Sequence, residues 1–346
     1  MPKQSIRIGF IGAGANTELR HIPGFLEAEG VEHVSVSNRS RESSQRISDK
    51  YNIPNVYDNW ADLIEAEDTD AICIGTWPYM HCSIVLSALE ANKHVITEAR
   101  MCMNADEAHT MLEASRLRPY LTAQIVPAPQ TLKIDKAIIE TLSNGQIGEV
   151  LSVDISIHQG DFIDHNGLFH WRNSRELSGY NIMQMGIWYE SIMRWLGPAQ
   201  TVQAITKVHV KSRKDSEGYS QHISVPDHVE ILCEMYSGPI LHMHCSSVTG
   251  LSPRDAIWIY GTEGTLHIDL ESMIVSMGRK GESQIAEIDI PVEKQGEWRV
   301  EEEFINSIRG KETVTHTDFT TGVRYMEFTE AVTRSVQKGG KIHLPW

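Results

Sequence analysis

Residues 12–16 read Gly12-Ala13-Gly14-Ala15-Asn16 and follow an apolar run from Ile6 to Ile11. A strand that ends in a glycine turn and enters a helix near Asn16 lets backbone N–H groups approach a pyrophosphate, and it turns the positive end of the helix toward that group. The third position of G-x-G-x-x-G is Thr17, where a glycine would allow the closest packing of helix on strand. The flanks fit the reading, with a helical stretch from Glu18 to Glu29 and a second strand from Val31 to Val36. That strand runs into Asn38-Arg39-Ser40-Arg41, where an acidic residue normally holds the adenosine ribose. Asn38 removes the repulsion a carboxylate would exert on a 2′-phosphate, while Arg39, Ser40 and Arg41 supply guanidinium and hydroxyl donors. NADP is favoured over NAD on these grounds. The competing reading makes Arg39 and Arg41 solvated loop charges and Asn38 a turn former.

Acid–base chemistry is suggested further along. Histidines and carboxylates concentrate in His158-Gln159-Gly160-Asp161-Phe162-Ile163-Asp164-His165 and at His170, which precedes Trp171-Arg172. Imidazole has the pKa for proton transfer at neutral pH and an aspartate can orient it, so His165, then His158 and His170, are candidate bases. Arg100 can stabilise an alkoxide or hold an anion but cannot act as a base. Tyr180 and Tyr189 are weaker candidates, because a phenol near its normal pKa needs a cation beside it. His242 and His244 alternate on a strand and share one face, with Cys245 opposite. Two ligands are too few for zinc, so no metal is expected. The five cysteines contain no C-x-x-C pair and read as free thiols.

These residues need a scaffold that the rest of the chain describes. At 346 residues, 41% of them hydrophobic, the chain can furnish two cores. A formal charge of −15 argues against nucleic-acid or anionic-membrane partners. No apolar stretch reaches membrane-spanning length, and a cytoplasmic location is expected. Strands and helices alternate to about residue 122, the pattern of a parallel sheet with helical crossovers. The fold expected is α/β, with a Rossmann domain over 1–122 and an α+β domain over 123–346 built on a large, mostly antiparallel sheet. Ligands lie at the carboxyl ends of such parallel strands, so Thr76, Trp77, His81 and Glu98 should line the nicotinamide half of the crevice. In the second domain, β runs at 150–158, 199–212, 225–236, 239–249 and 256–270 are joined by helices at 132–143, 181–196 and 319–338. The polar stretch Lys211 to Gln221 reads as a solvent loop.

The order and spacing of several segments resemble the Gfo/Idh/MocA family of sugar oxidoreductases. They are the Gly12-Ala13-Gly14 turn, Thr76-x-Pro78-x-x-His81, Ala88 to Val95, Ile147-Gly148-Glu149-Val150, Trp171-Arg172, Tyr260 to Leu266 and Ile342-His343-Leu344-Pro345. The resemblance implies a dinucleotide cofactor, a carbohydrate or polyol substrate, and a homodimer or homotetramer associated through the open face of the second sheet. That face would carry His242 and His244. The departures fall on chemistry. Glu98-Ala99-Arg100 replaces the family's Glu-Lys-Pro, and Gln184 and Trp188 replace its D-x-x-x-H pair, with Ser191 where a further aspartate is common. Gln184 and Trp188 share a helix face, so Trp188 either stacks on a sugar ring beside the Gln184 amide or joins Met185, Ile192 and Trp195 in the core. Trp171 and Arg172 are further substrate-binding candidates. Three activities fit: an oxidoreductase with an unconventional proton acceptor, a redox-neutral enzyme that oxidises a carbon transiently, or a dinucleotide-binding protein without chemistry.

Overall fold

The computed structural model describes residues 5–159 and 162–345, so Gly160 and Asp161 of the histidine-rich segment lie outside the described residues. Two compact units form. One takes the chain up to Pro127 together with Arg299–Val323; the other takes Ala128–Trp298 and the chain from Arg324 onward. A single cut between 122 and 123 therefore omits a segment that returns to the first unit. The return is a tertiary fact: Phe304 packs edge-on against Phe25 at 6.0 Å, and Glu301 reaches His21.

The first unit contains β1 (Ile6–Ile11), α1 (Ile22–Glu27), β2 (Val31–Ser37), α2 (Arg41–Tyr51), β3 (Asn55–Val56), α3 (Trp60–Glu65), β4 (Ala71–Ile74), α4 (Pro78–Glu90), β5 (His94–Thr97), α5 (Ala105–Arg116) and β6 (Ala123–Ile125). The strands pair in parallel in the order β3-β2-β1-β4-β5-β6. Every residue of β4 is buried, as a parallel strand covered on both faces requires. Strand order reverses between β1 and β4, the place where such sheets open a crevice at their carboxyl ends. The helix expected from Glu18 to Glu29 forms in two pieces, a π turn over Thr17–His21 and then α1.

The second unit begins with α6 (Leu132–Ser143) and β7 (Val150–His158). A 3₁₀ turn (Trp171–Asn173), α7 (Arg175–Ser178) and α8 (Met185–Leu196) follow. Then come β8 (Ala199–Lys207), β9 (Ser212–Lys214), β10 (Ser220–His222), β11 (His228–Met235), β12 (Ile240–Ser246), β13 (Ala256–Gly261), β14 (Gly264–Asp269), β15 (Val275–Arg279) and β16 (Ala286–Glu287). The helix of the returning segment is α9 (Val300–Ile308), and α10 (Phe319–Lys338) and β17 (Ile342–His343) end the chain's regular structure. Nine strands pair in the order β16-β15-β14-β13-β7-β12-β11-β8-β17, and within that sheet β7 with β12 is parallel while the other pairs are antiparallel. The stretch expected as a solvent loop instead holds the two-stranded hairpin β9–β10.

Alternation gives this sheet two unlike faces. Ile155, Ile231 and Met243 are buried on one side. The helices lie on that side: Tyr189 of α8 stacks on Phe328 of α10 at 3.5 Å and accepts the Ala199 N–H at 2.9 Å. Asp154, His158, His228, Glu230, His242, His244 and Trp258 alternate onto the other, more open face. Among the described residues no helix is long and apolar enough to cross a membrane.

Candidate functional site

The glycine turn in the first unit carries two different constraints. Gly12 has φ 79°, and a Cβ there would lie 2.6 Å from Thr76 Cγ2, so its side chain is excluded by backbone conformation and by packing. Gly14 has neither problem, since the nearest atoms to a Cβ would be carbonyl oxygens at 3.9 Å. The space beside Gly14 is thus open in the protein itself, as it must be where a pyrophosphate approaches the backbone. Thr76 Oγ1, on the loop that packs against Gly12, is buried without a hydrogen-bond partner among the described residues. An open cradle with an unpaired hydroxyl close by fits a bound dinucleotide.

Thr17, the residue that breaks the glycine motif, is buried, and its hydroxyl lies where a Cβ on Gly75 would come within 2.2 Å of it. A Cβ on Gly75 would also lie 2.4 Å from the Gly12 carbonyl oxygen, so a glycine just after β4 is required by the backbone of the turn as well as by Thr17. Sequence reading missed this contact because Gly75 lies far along the chain from Gly12 and Thr17.

Asn38 does not face outward to a ribose. Its Oδ1 accepts the Ala13 N–H at 2.7 Å and its Nδ2 donates to Ser43 O at 3.2 Å, so it braces the glycine turn against α2. Ser40 caps α2 by accepting the Ser43 N–H, and Arg41 pairs with Asp58 at 2.6 Å on the surface. Arg39 is exposed.

Glu98 sits at the end of a buried chain that the sequence did not reveal. Its Oε1 accepts from Asn16 Nδ2 and lies 3.0 Å from His21 Nε2, while His21 Nδ1 lies 2.5 Å from Glu301 Oε1. Burial alone would lower the His21 pKa, but hydrogen bonds to Glu301 and Glu98, with their charges, outweigh it and hold the ring at about 9. Burial would likewise raise the Glu98 pKa, and His21, Asn16 and the Ala99 N–H bring it below its usual value. The arrangement is an imidazolium between two carboxylates, one of which fixes Asn16 at the start of the helix that follows the glycine turn.

His81 departs from its expected place along the crevice. It is fully buried, with Nδ1 3.0 Å from Arg100 O and Nε2 3.0 Å from Thr76 O, and burial lowers its pKa despite these carbonyls. It ties the loop after β4 to the loop after β5. Trp77, at the start of α4, is the most exposed member of this group, and Arg100 is buried.

In the second unit, the candidate bases are not gathered together. His158 alternates onto the open face, away from α8, with Nδ1 3.0 Å from Asp255 and its ring 5.0 Å from His244. His170 caps the 3₁₀ turn: its Nδ1 accepts the Arg172 N–H at 3.2 Å. Burial, and then the Arg172 charge, lower its pKa, so the ring is neutral with its proton on Nε2 and its lone pair occupied. His165 is exposed, and no hydrogen bond fixes its ring among the described residues. Trp188 is 4% exposed and its Nε1 donates to Gln184 Oε1 at 3.2 Å, so it packs in the core with Met185, Ile192 and Trp195 instead of offering a stacking face. Ser191 accepts from Thr131 at 3.0 Å within a buried cluster where Arg194 pairs with Asp135 and Glu190. Tyr189 is buried, and burial pushes its pKa up, away from any role as a base. Arg172 lies over the Trp171 ring at 4.2 Å, a cation–π pair that stiffens this turn.

The sheet order and the open glycine cradle define a dinucleotide-binding protein of the Rossmann class. Residues 6–119 match the family described as "Oxidoreductase family, NAD-binding Rossmann fold", and residues 136–267 match the "GFO/IDH/MocA C-terminal domain". The chain belongs to the Gfo/Idh/MocA family of oxidoreductases. It is 22% identical over 302 residues to dTDP-3,4-didehydro-2,6-dideoxy-alpha-D-glucose 3-reductase of Saccharopolyspora spinosa, covering 85% of each chain. Among solved structures, an oxidoreductase domain protein from Kribbella flavida superposes with a TM-score of 0.86 at 18% identity, covering 99% of this chain and 100% of the other. Levoglucosan dehydrogenase in complex with NADH and L-sorbose gives 0.83 at 17% identity, covering 99% of each.

Proposed function

We propose that this chain oxidises or reduces a CH–OH group of a sugar, a cyclic polyol or a related derivative, with NADP preferred to NAD. The open space at Gly14, within a family of oxidoreductases, is the observation that carries the reading. A bound nicotinamide supplies hydride transfer to or from the carbinol carbon. Gly12, Ala13, Gly14, Ala15 and Asn16 receive the pyrophosphate, and Thr76, Trp77 and Glu98 border the reactive end. Arg39 supports the preference for NADP, since Asn38 places no carboxylate against a 2′-phosphate and the exposed guanidinium is available to it. Arg172 and Gln184 hold substrate hydroxyls, and Arg100 stabilises negative charge on the substrate.

His165 is the proposed proton acceptor, because His158 and His170 are committed to Asp255 and to the 3₁₀ turn. The exposed Ile205, Leu232 and Ile240 on the open sheet face support assembly as a homodimer or homotetramer. The test is a titration with each dinucleotide, followed by a carbohydrate panel read at the reduced-nicotinamide absorbance band. A substrate-dependent change in that band is expected. Absence of affinity for either dinucleotide would refute the reading, and turnover without a net change would place the enzyme in the redox-neutral class.

A further inference from the structure

Strand pairing accomplishes what the spacing of His242 and His244 could not. It sets β11 beside β12 with Glu230 opposite His244 and His228 opposite Ser246. One ligand atom from each of His228, Glu230 and His244 lies within 4.8 Å of the other two. Glu230 Oε1 is 2.6 Å from His244 Nδ1 and 3.6 Å from His228 Nε2. Tetrahedral zinc with bonds of about 2.0–2.1 Å spaces its ligand atoms by roughly 3.3 Å. The two contacts to Glu230 therefore need shifts of under about 1 Å, and the His228–His244 separation, within 4.8 Å, needs one of at most about 1.5 Å.

Neighbouring groups orient two of the ligands. His228 Nδ1 lies 3.1 Å from Ser246 Oγ, which leaves Nε2 toward Glu230. His242 Nε2 lies 3.1 Å from Glu230 Oε2 and fixes the plane of the carboxylate. Two imidazoles and one carboxylate make a donor set suited to zinc, with a position left for water or a ligand oxygen.

We propose that His228, Glu230 and His244 bind a divalent transition-metal ion of the zinc type on the open face of the sheet, with Ser246 and His242 as positioning residues. The ion ties β11 to β12. It is distinct from the dinucleotide site, which lies in the other unit.

Calorimetric titration of the chelator-stripped full chain with Zn²⁺ alone tests this. One equivalent per chain is expected. A His228→Ala/His244→Ala double variant should bind at least about 100-fold more weakly, and His242→Ala about 10-fold more weakly, in keeping with loss of an outer-shell partner. Zinc should raise the melting temperature of the wild type and leave that of the double variant unmoved. Should the double variant fail to fold by circular dichroism, Glu230→Gln keeps the shape and removes the charge, and at least about 10-fold weakening is expected. No stoichiometric zinc below roughly 0.1 mM would overturn the proposal, as would stoichiometric zinc that these variants retain.

Discussion

Glu301→Gln tests the buried imidazolium of the first unit. His21 has a folded pKa of about 9 against an ordinary 6.5. Because the folded value is the higher one, the charged ring contributes stability that is complete below pH 6.5 and is lost as pH rises through 9. At 1.36 kcal/mol for each tenfold change in proton affinity, the interval is worth about 3 kcal/mol. The lowered Glu98 pKa reports the same contacts from the other side and is not counted again. In Glu301→Gln the amide oxygen still accepts from Nδ1 but one charge is gone, so about half of that stability should vanish at pH 7. Urea denaturation followed by circular dichroism provides the assay, using the transition that shifts on adding dinucleotide, since that one belongs to the first unit. The wild-type midpoint should fall between pH 6.5 and about 9, and the variant should start lower, fall less steeply and meet the wild type near the alkaline end. Coincident or parallel midpoint curves would refute the reasoning. Dinucleotide affinity should fall along with the stability, because Glu98 would no longer hold Asn16 against a charged ring.

Three further outcomes follow from the geometry. Gly14→Ala should leave thermal stability within about 0.5 kcal/mol of the wild type while weakening dinucleotide binding at least about tenfold by fluorescence titration, whereas Gly75→Ala, with a Cβ 2.2 Å from Thr17 Oγ1, should cost about 3 kcal/mol or more. Arg39→Ala should weaken NADP binding by about tenfold and leave NAD within a factor of about two, so an equal loss for both would remove the proposed 2′-phosphate contact. Trp188→Ala should lower stability by about 3–5 kcal/mol as a core cavity does. A raised KM for substrate with an unchanged melting temperature would restore Trp188 to a sugar-stacking role.

Much of the fold was legible because its signals are local. The alternation of Val150 to His158 marks a strand with one buried face, and the structure gives that strand the same limits. The hairpin at Ser212–Lys214 and Ser220–His222 escaped because its strands are short and half-exposed, with no buried side to impose a period. The helix Val300–Ile308 escaped for a related reason: Glu301, Glu302 and Glu303 in its first turn hide the apolar stripe of Val300, Phe304 and Ile305. Two of those glutamates are themselves buried, Glu301 against His21 and Glu303 against Thr315, which no reading of hydrophobic periodicity anticipates.

The site separates along the same line. The residues that cradle a phosphate lie within one turn of backbone, so Gly12 to Asn16 announce themselves. The groups that set charge do not, because His21 and Glu301 are 280 positions apart, and Glu230 meets His244 only through strand register. Its place just beyond the carboxyl end of β4 gave His81 a ligand-lining role, yet its ring is buried between backbone carbonyls of the loops that flank the crevice, and whichever nitrogen carries the proton donates to one of them. Thr17 shows why a motif should be read as a condition on space. The loop after β4 must approach the glycine turn closely, and a Cβ at residue 75 would meet both Thr17 Oγ1 at 2.2 Å and the Gly12 carbonyl oxygen at 2.4 Å. Residue 75 must be glycine for both reasons, so removing the Thr17 hydroxyl should recover only part of the cost of Gly75→Ala, and the two substitutions should be non-additive in their effect on stability.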